Sequence, residues 1–183
     1  VRSVLDRVRA CRDYRRLRAR VRALLAEIGV PRPWDLAEFC DRVAAHRGRP
    51  IHLVPAPLPP GAPDGAWLAG PTVDVIVYDR DSPALRAEHI VCHELGHMLL
   101  GHQGARPGPE LTPDVSPDLL RRMGVLHRGA YGSYNSRCEQ EAEVAASLIW
   151  KLAGRSLLAP RRALAPADAA VVDRFGEAME RFR

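Results

Sequence analysis

Two histidines four residues apart, His93 and His97, stand with Glu94 in the stretch Ile90-Val-Cys-His-Glu-Leu-Gly-His-Met-Leu-Leu100. On a helix, residues four apart lie about 40° apart around the axis, so both imidazoles leave from one face. With His93 at 0°, Val91, Cys92, Leu95 and Leu99 fall between about 160° and 260°. The segment is therefore an amphipathic helix, with its apolar stripe against a core and the histidines on the other side. Two imidazoles so placed can hold one zinc ion. Glu94, about 100° round, can reach a water at such an ion and take its proton. The expected chemistry is metal-assisted hydrolysis, most often of a peptide bond.

The rest of the chain is arranged around this helix. Its 183 residues fit one domain, with or without a helical extension, and are enough to bury a core. Apolar residues of 1–28 recur at helical spacing and stop at Gly29 and Pro31, giving one long helix or two shorter ones. A second helix is expected over 33–45 and a short strand over 51–54. A proline-rich loop over 55–65 follows, then two strands over 66–69 and 73–78. Pro83 opens the motif helix, which Gly101 ends. A short helix at 117–123, a strong one over about 136–153 and a last one over about 166–181 complete an α+β chain.

The net charge of +5 is unevenly spread. Residues 1–29 hold nine arginines against Asp6, Asp13 and Glu27, whereas 30–183 hold 18 basic and 19 acidic residues. We divide the chain into a basic helical extension, 1–29, and a catalytic domain, 30–183. The arginine run reads as a solvated helix face. Binding to nucleic acid or an acidic partner is the alternative, against which stand the lack of interleaved aromatics and of a helix-turn-helix pattern. No apolar run approaches the roughly 20 residues of a membrane span, and the opening residues do not read as a signal peptide. Cys11, Cys40, Cys92 and Cys138 are widely spaced and read as reduced thiols, which suits the cytoplasm. His89 has no matched partner in the pattern, and Cys92 points to the core.

A catalytic zinc ion usually takes three protein ligands. His102 is the nearest candidate, but a continuous helix would put it about 180° from His93. An elongated His-Glu-x-x-His-x-x-Gly-x-x-His signature would need Gly at 100 and His at 103, where this chain has Leu100 and Gln103. His102 thus reads as a residue at the helix C-terminus. The run Cys138-Glu-Gln-Glu-Ala-Glu143 offers Glu139, Glu141 and Glu143. With Glu141 at 0°, Cys138, Ala142, Ala145, Leu148, Ile149 and Leu152 fall between about −20° and 100°. Glu139 and Glu143 fall near 160° and 200°, with Trp150 near 180°. Glu141 is thus the carboxylate on the apolar stripe. There it needs a partner, either a metal or an arginine.

His93-Glu-Leu-Gly-His97, followed by Glu139-x-Glu141-Ala142-x-x-x-Ala146 and Leu148, closely resembles the ImmA/IrrE family of zinc metallopeptidases. The strand Val75-Ile-Val-Tyr-Asp79 and the helix start Arg86-x-x-His89-Ile are similar too. The resemblance spans roughly residues 20–155. It implies a zincin-like fold: a small sheet packed on the motif helix and on a second metal-ligand helix, with extra terminal helices. It also implies zinc held by His93, His97 and Glu141, with Glu94 as the base. The implied protein substrate is a helix-turn-helix transcriptional repressor, cleaved to derepress stress or mobile-element genes. A donor for the developing oxyanion is sought among Tyr131, Tyr134, His127 and Arg137, of which Tyr134 is favoured by its place just before the second helix. The alternative to an enzyme is a zinc-stabilised partner of a regulator that acts by contact, or a toxin-like module component. Glu94 argues against the contact-only partner, since a scaffold has no need of a base.

Overall fold

A computed structural model describes residues 4–58, 63–70, 72–102 and 136–155, without the side chains of 4–7. The helices expected at 117–123 and 166–181, and Tyr131, Tyr134 and His127, lie outside the described residues.

The N-terminal pattern forms one helix, α1 (Val4–Ile28). Residues 8–16 of it are exposed. From the second half Leu17, Val21, Leu24, Leu25 and Ile28 pack into the main core, so α1 belongs to the body that carries the site. Helix α2 (Leu36–Arg47) starts after the expected Pro33, because the side chain of Asp35 accepts a hydrogen bond from the Glu38 N–H and caps it. Its Phe39, Cys40 and Val43 are buried.

Three strands follow, β1 (Ile51–Ala56), β2 (Gly65–Ala69) and β3 (Asp74–Asp79), in the order β1-β3-β2. β1 runs parallel to β3, and β2 antiparallel to it. β1 extends two residues beyond the expected strand and includes Pro55, which an edge strand tolerates because it need not donate on both sides. Trp67 and Ile76 point into the main core. Leu68, Val75 and Val77 bury the other face in a second cluster with Ala56 and Ala66.

Helix α3 (Ala84–Leu100) carries the histidines, and α4 (Ser136–Leu152) lies across it. The two approach at Gly96. A Cβ there would stand 2.8 Å from the Ala142 carbonyl oxygen and 3.1 Å from the Ala145 Cβ. The small residues Gly96, Ala142, Ala145 and Ala146 thus let two backbones come together, and this closeness brings glutamates on α4 to histidines on α3. Val91, Cys92, Leu95 and Leu99 are buried as the wheel requires. The opposite side is not an open face, however: His97 is fully buried and Glu94 is 5% exposed, because α4 and the sheet cover it.

The α3 C-terminus is held by its surroundings. Gly101 takes a left-handed φ of 74°, and the His102 N–H donates to the His97 carbonyl. Arg20 of α1 donates to the Leu100 carbonyl and Arg47 of α2 to that of Met98. No helix among the described residues is long and apolar enough to cross a membrane.

Candidate metal centre

His93, His97 and Glu139 come together so that one ligand atom of each lies within 4.8 Å of the others. The His93 and His97 Nε2 atoms are 3.1 Å apart. The Glu139 carboxylate approaches them at 3.1 Å and 3.7 Å. Two imidazoles and a carboxylate are the donor set of a catalytic zinc site, and three groups leave a position open. The arrangement fits a metal ion; which ion, the donors alone do not fix. The Glu139 side chain is 45% exposed, so on that side the cluster opens to solvent among the described residues.

The third member is therefore Glu139, whereas the family resemblance points to Glu141. Glu141 turns to the flank of α4, where its Oε1 accepts from Arg137 at 2.8 Å and its Oε2 lies 3.3 Å from His102 Nε2. The physical reason is that α4 meets α3 along two sides. One is the alanine and leucine stripe that meets Gly96. The other carries Glu139, Glu143 and Trp150, and it meets the row His89, His93 and His97 on α3. Trp150, 4% exposed and on the same side of the wheel as Glu139 and Glu143, was the signal in the sequence that this side is packed too.

His102 also departs from the wheel. The helix stops at Leu100, and the left-handed turn at Gly101 brings the ring back until its Nδ1 is 2.9 Å from His97 Nδ1. Nor is His89 without a partner: its Nε2 lies 3.3 Å from Glu143, which also approaches His93 Nδ1 at 3.4 Å. Arg137, a candidate oxyanion donor, is engaged with Glu141.

Glu94 stands on the sheet side of α3. Its Oε2 accepts from the backbone N–H of Trp67 at 2.8 Å, on the edge of β2 that faces away from β3. Trp67 is fixed in turn, its indole N–H donating to Asp74 at 3.0 Å. Asp74 is fully buried and paired with Arg47 at 3.0 Å. This chain of contacts runs from α2 through β3 and β2 to the carboxylate.

Burial dominates the electrostatics of the site. It pushes the Glu94 carboxyl up to about 7, against the pull of His93 and the Trp67 N–H and with help from Glu139. It lowers His97 to about 3, assisted by His93 and His102. A neutral imidazole is the form that binds a metal, and a carboxyl that titrates near neutrality suits a general base. The Glu141 carboxyl is lowered chiefly by the hydrogen bond from Arg137. Burial raises Cys92, one residue from His93, far above the ordinary thiol range, so it is an inert core thiol.

No protein-family model, curated protein or solved structure matches the chain.

Proposed function

We propose that this protein is a zinc-dependent endopeptidase whose metal is held by His93, His97 and Glu139, with Glu94 as the general base. The observation that carries the reading is a buried carboxylate, raised to about 7, next in sequence to one histidine of a two-histidine, one-carboxylate cluster. A binding module needs the cluster but has no use for that carboxylate, whose burial costs stability. When bound, zinc polarises a scissile carbonyl and acidifies water. Glu94 accepts the proton from the attacking water as the C–O bond forms, then delivers it to the departing amine as the C–N bond breaks. The Trp67 N–H orients its carboxylate for both transfers. Glu139 and His93 line the open side, where an extended peptide can approach.

For the substrate we propose a helix-turn-helix transcriptional repressor, cleaved inside the cell to release its genes. This part rests on the resemblance of the two motifs to the ImmA/IrrE family. The experiment is direct: the zinc-loaded protein is incubated with the regulator encoded beside its own gene, and the products are mapped by mass spectrometry. A single cut, absent with Glu94→Gln, is expected. An uncut regulator overturns the choice of substrate. Unchanged cutting by Glu94→Gln overturns the mechanism.

A further inference from the structure

We propose that His102 is a positioning residue of the metal centre, coupling Glu141 to His97 and holding His97 in the tautomer that turns its Nε2 lone pair to the metal. The inference rests on the metal-centre reading above and extends it to residues that touch no ligand position. The contacts lead from His97 through His102 to Glu141. His97 Nε2 faces His93 Nε2 and Glu139, so as a ligand it must be bare and the ring proton must sit on Nδ1. That proton points at His102 Nδ1, 2.9 Å away, which must therefore accept. The remaining His102 proton then lies on Nε2, 3.3 Å from Glu141 Oε2. The other Glu141 oxygen is held by Arg137. This assignment of protons satisfies each of these contacts, and it ends on a carboxylate.

An imidazole that ligates a metal commonly gives its second N–H to a carboxylate or carbonyl, which fixes the ring and strengthens it as a donor. Here His93 has that arrangement in a single step, with Nδ1 3.4 Å from Glu143. On the fully buried His97 ring, Nδ1 meets an imidazole, that of His102, in place of a carboxylate. The left-handed turn at Gly101 supplies an imidazole to span the distance. The three glutamates of α4 thereby divide the work. Glu139 faces the metal position, Glu143 braces His93, and Glu141 braces His97 through His102.

The test is a competitive zinc titration at fixed pH on the full chain, comparing wild type with His102→Leu, His102→Asn and Glu141→Gln. Cobalt absorption spectra and metal-free melting curves are recorded alongside. Asparagine places an amide oxygen near the position of Nδ1 and can still accept from His97, whereas leucine cannot. His102→Leu is expected to bind zinc about 10–100-fold more weakly and His102→Asn within about threefold of wild type, the span usual for such outer partners. The cobalt bands should shift in the leucine variant and return in the asparagine variant. Glu141→Gln should weaken zinc less than His102→Leu does. Wild type without zinc affinity overturns the metal centre itself and the relay with it. Wild type that binds zinc, with His102→Leu equal to it, overturns the relay alone. Glu141→Gln weaker than His102→Leu overturns it as well, by placing Glu141 on the metal. Should His102→Leu not fold, Glu141→Gln decides: unchanged affinity and unchanged cobalt bands overturn the relay.

Discussion

Replacing Glu94 by glutamine should make the metal-free protein more stable at alkaline pH while removing any peptide cleavage. The Glu94 carboxyl is raised from 4.5 to about 7, mainly because it is buried between α3 and β2. Below pH 4.5 both folded and unfolded chains hold this proton, and the group contributes nothing to any pH dependence. From 4.5 to 7 the unfolded chain loses the proton first, so folding stability falls as pH rises, and above 7 the loss is complete. The full loss is about 3 kcal/mol at 1.36 kcal/mol per pH unit. Glutamine keeps an oxygen for the Trp67 N–H and has no charge to bury, so the variant is spared this loss. Its stability at low pH includes a new amide N–H, which is why the informative quantity is the change with pH. Urea unfolding of both metal-free proteins at pH 4.5 and pH 8 should show the difference, variant minus wild type, growing by about 3 kcal/mol. In melting curves that corresponds to roughly 6–12 °C for a chain of this size. A difference that stays constant with pH would refute the buried, charged carboxylate, and with it the poised base.

Gly96→Ala places a methyl 2.8 Å from the Ala142 carbonyl oxygen; the helices must part, costing about 1–3 kcal/mol in urea unfolding, with zinc affinity falling as Glu139 retreats. Trp67→Phe removes the indole N–H that Asp74 accepts, which should cost about 1–3 kcal/mol and slow any cleavage by loosening the strand that holds Glu94. His97 is lowered from 6.5 to about 3, so its contribution is fully present above pH 6.5 and is lost as pH falls through 3. A metal-free His97→Gln variant should lack that acid sensitivity in a pH series of melting curves. Glu139→Gln should lose most of its zinc affinity by competitive titration, more than Glu141→Gln or Glu143→Gln does.

The sequence speaks clearly where local rules govern. Pro83 and Gly101 bracket the motif helix, and the β-branched, apolar run Val75–Tyr78 marks a strand. The apolar side of α3 is legible because Val91, Cys92, Leu95 and Leu99 share it. What the wheel misses is contact between elements. It treats α4 as a cylinder with one buried face, and so selects Glu141 over Glu139. It also extends α3 past Gly101, and so sends His102 to the wrong side. Both readings part from the structure for one reason, since a helical projection holds no record of which partner meets the second side or of where the chain turns back. The bond from the Trp67 N–H to Glu94 is equally invisible, because it depends on which edge of β2 is left unpaired by β3.

The position of the metal is decisive. Anomalous diffraction from crystals of the zinc-loaded protein measures that directly. One strong peak is expected about 2.0–2.2 Å from His93 Nε2, His97 Nε2 and a Glu139 carboxylate oxygen. A peak on Glu141, or none between the two histidines, would contradict it.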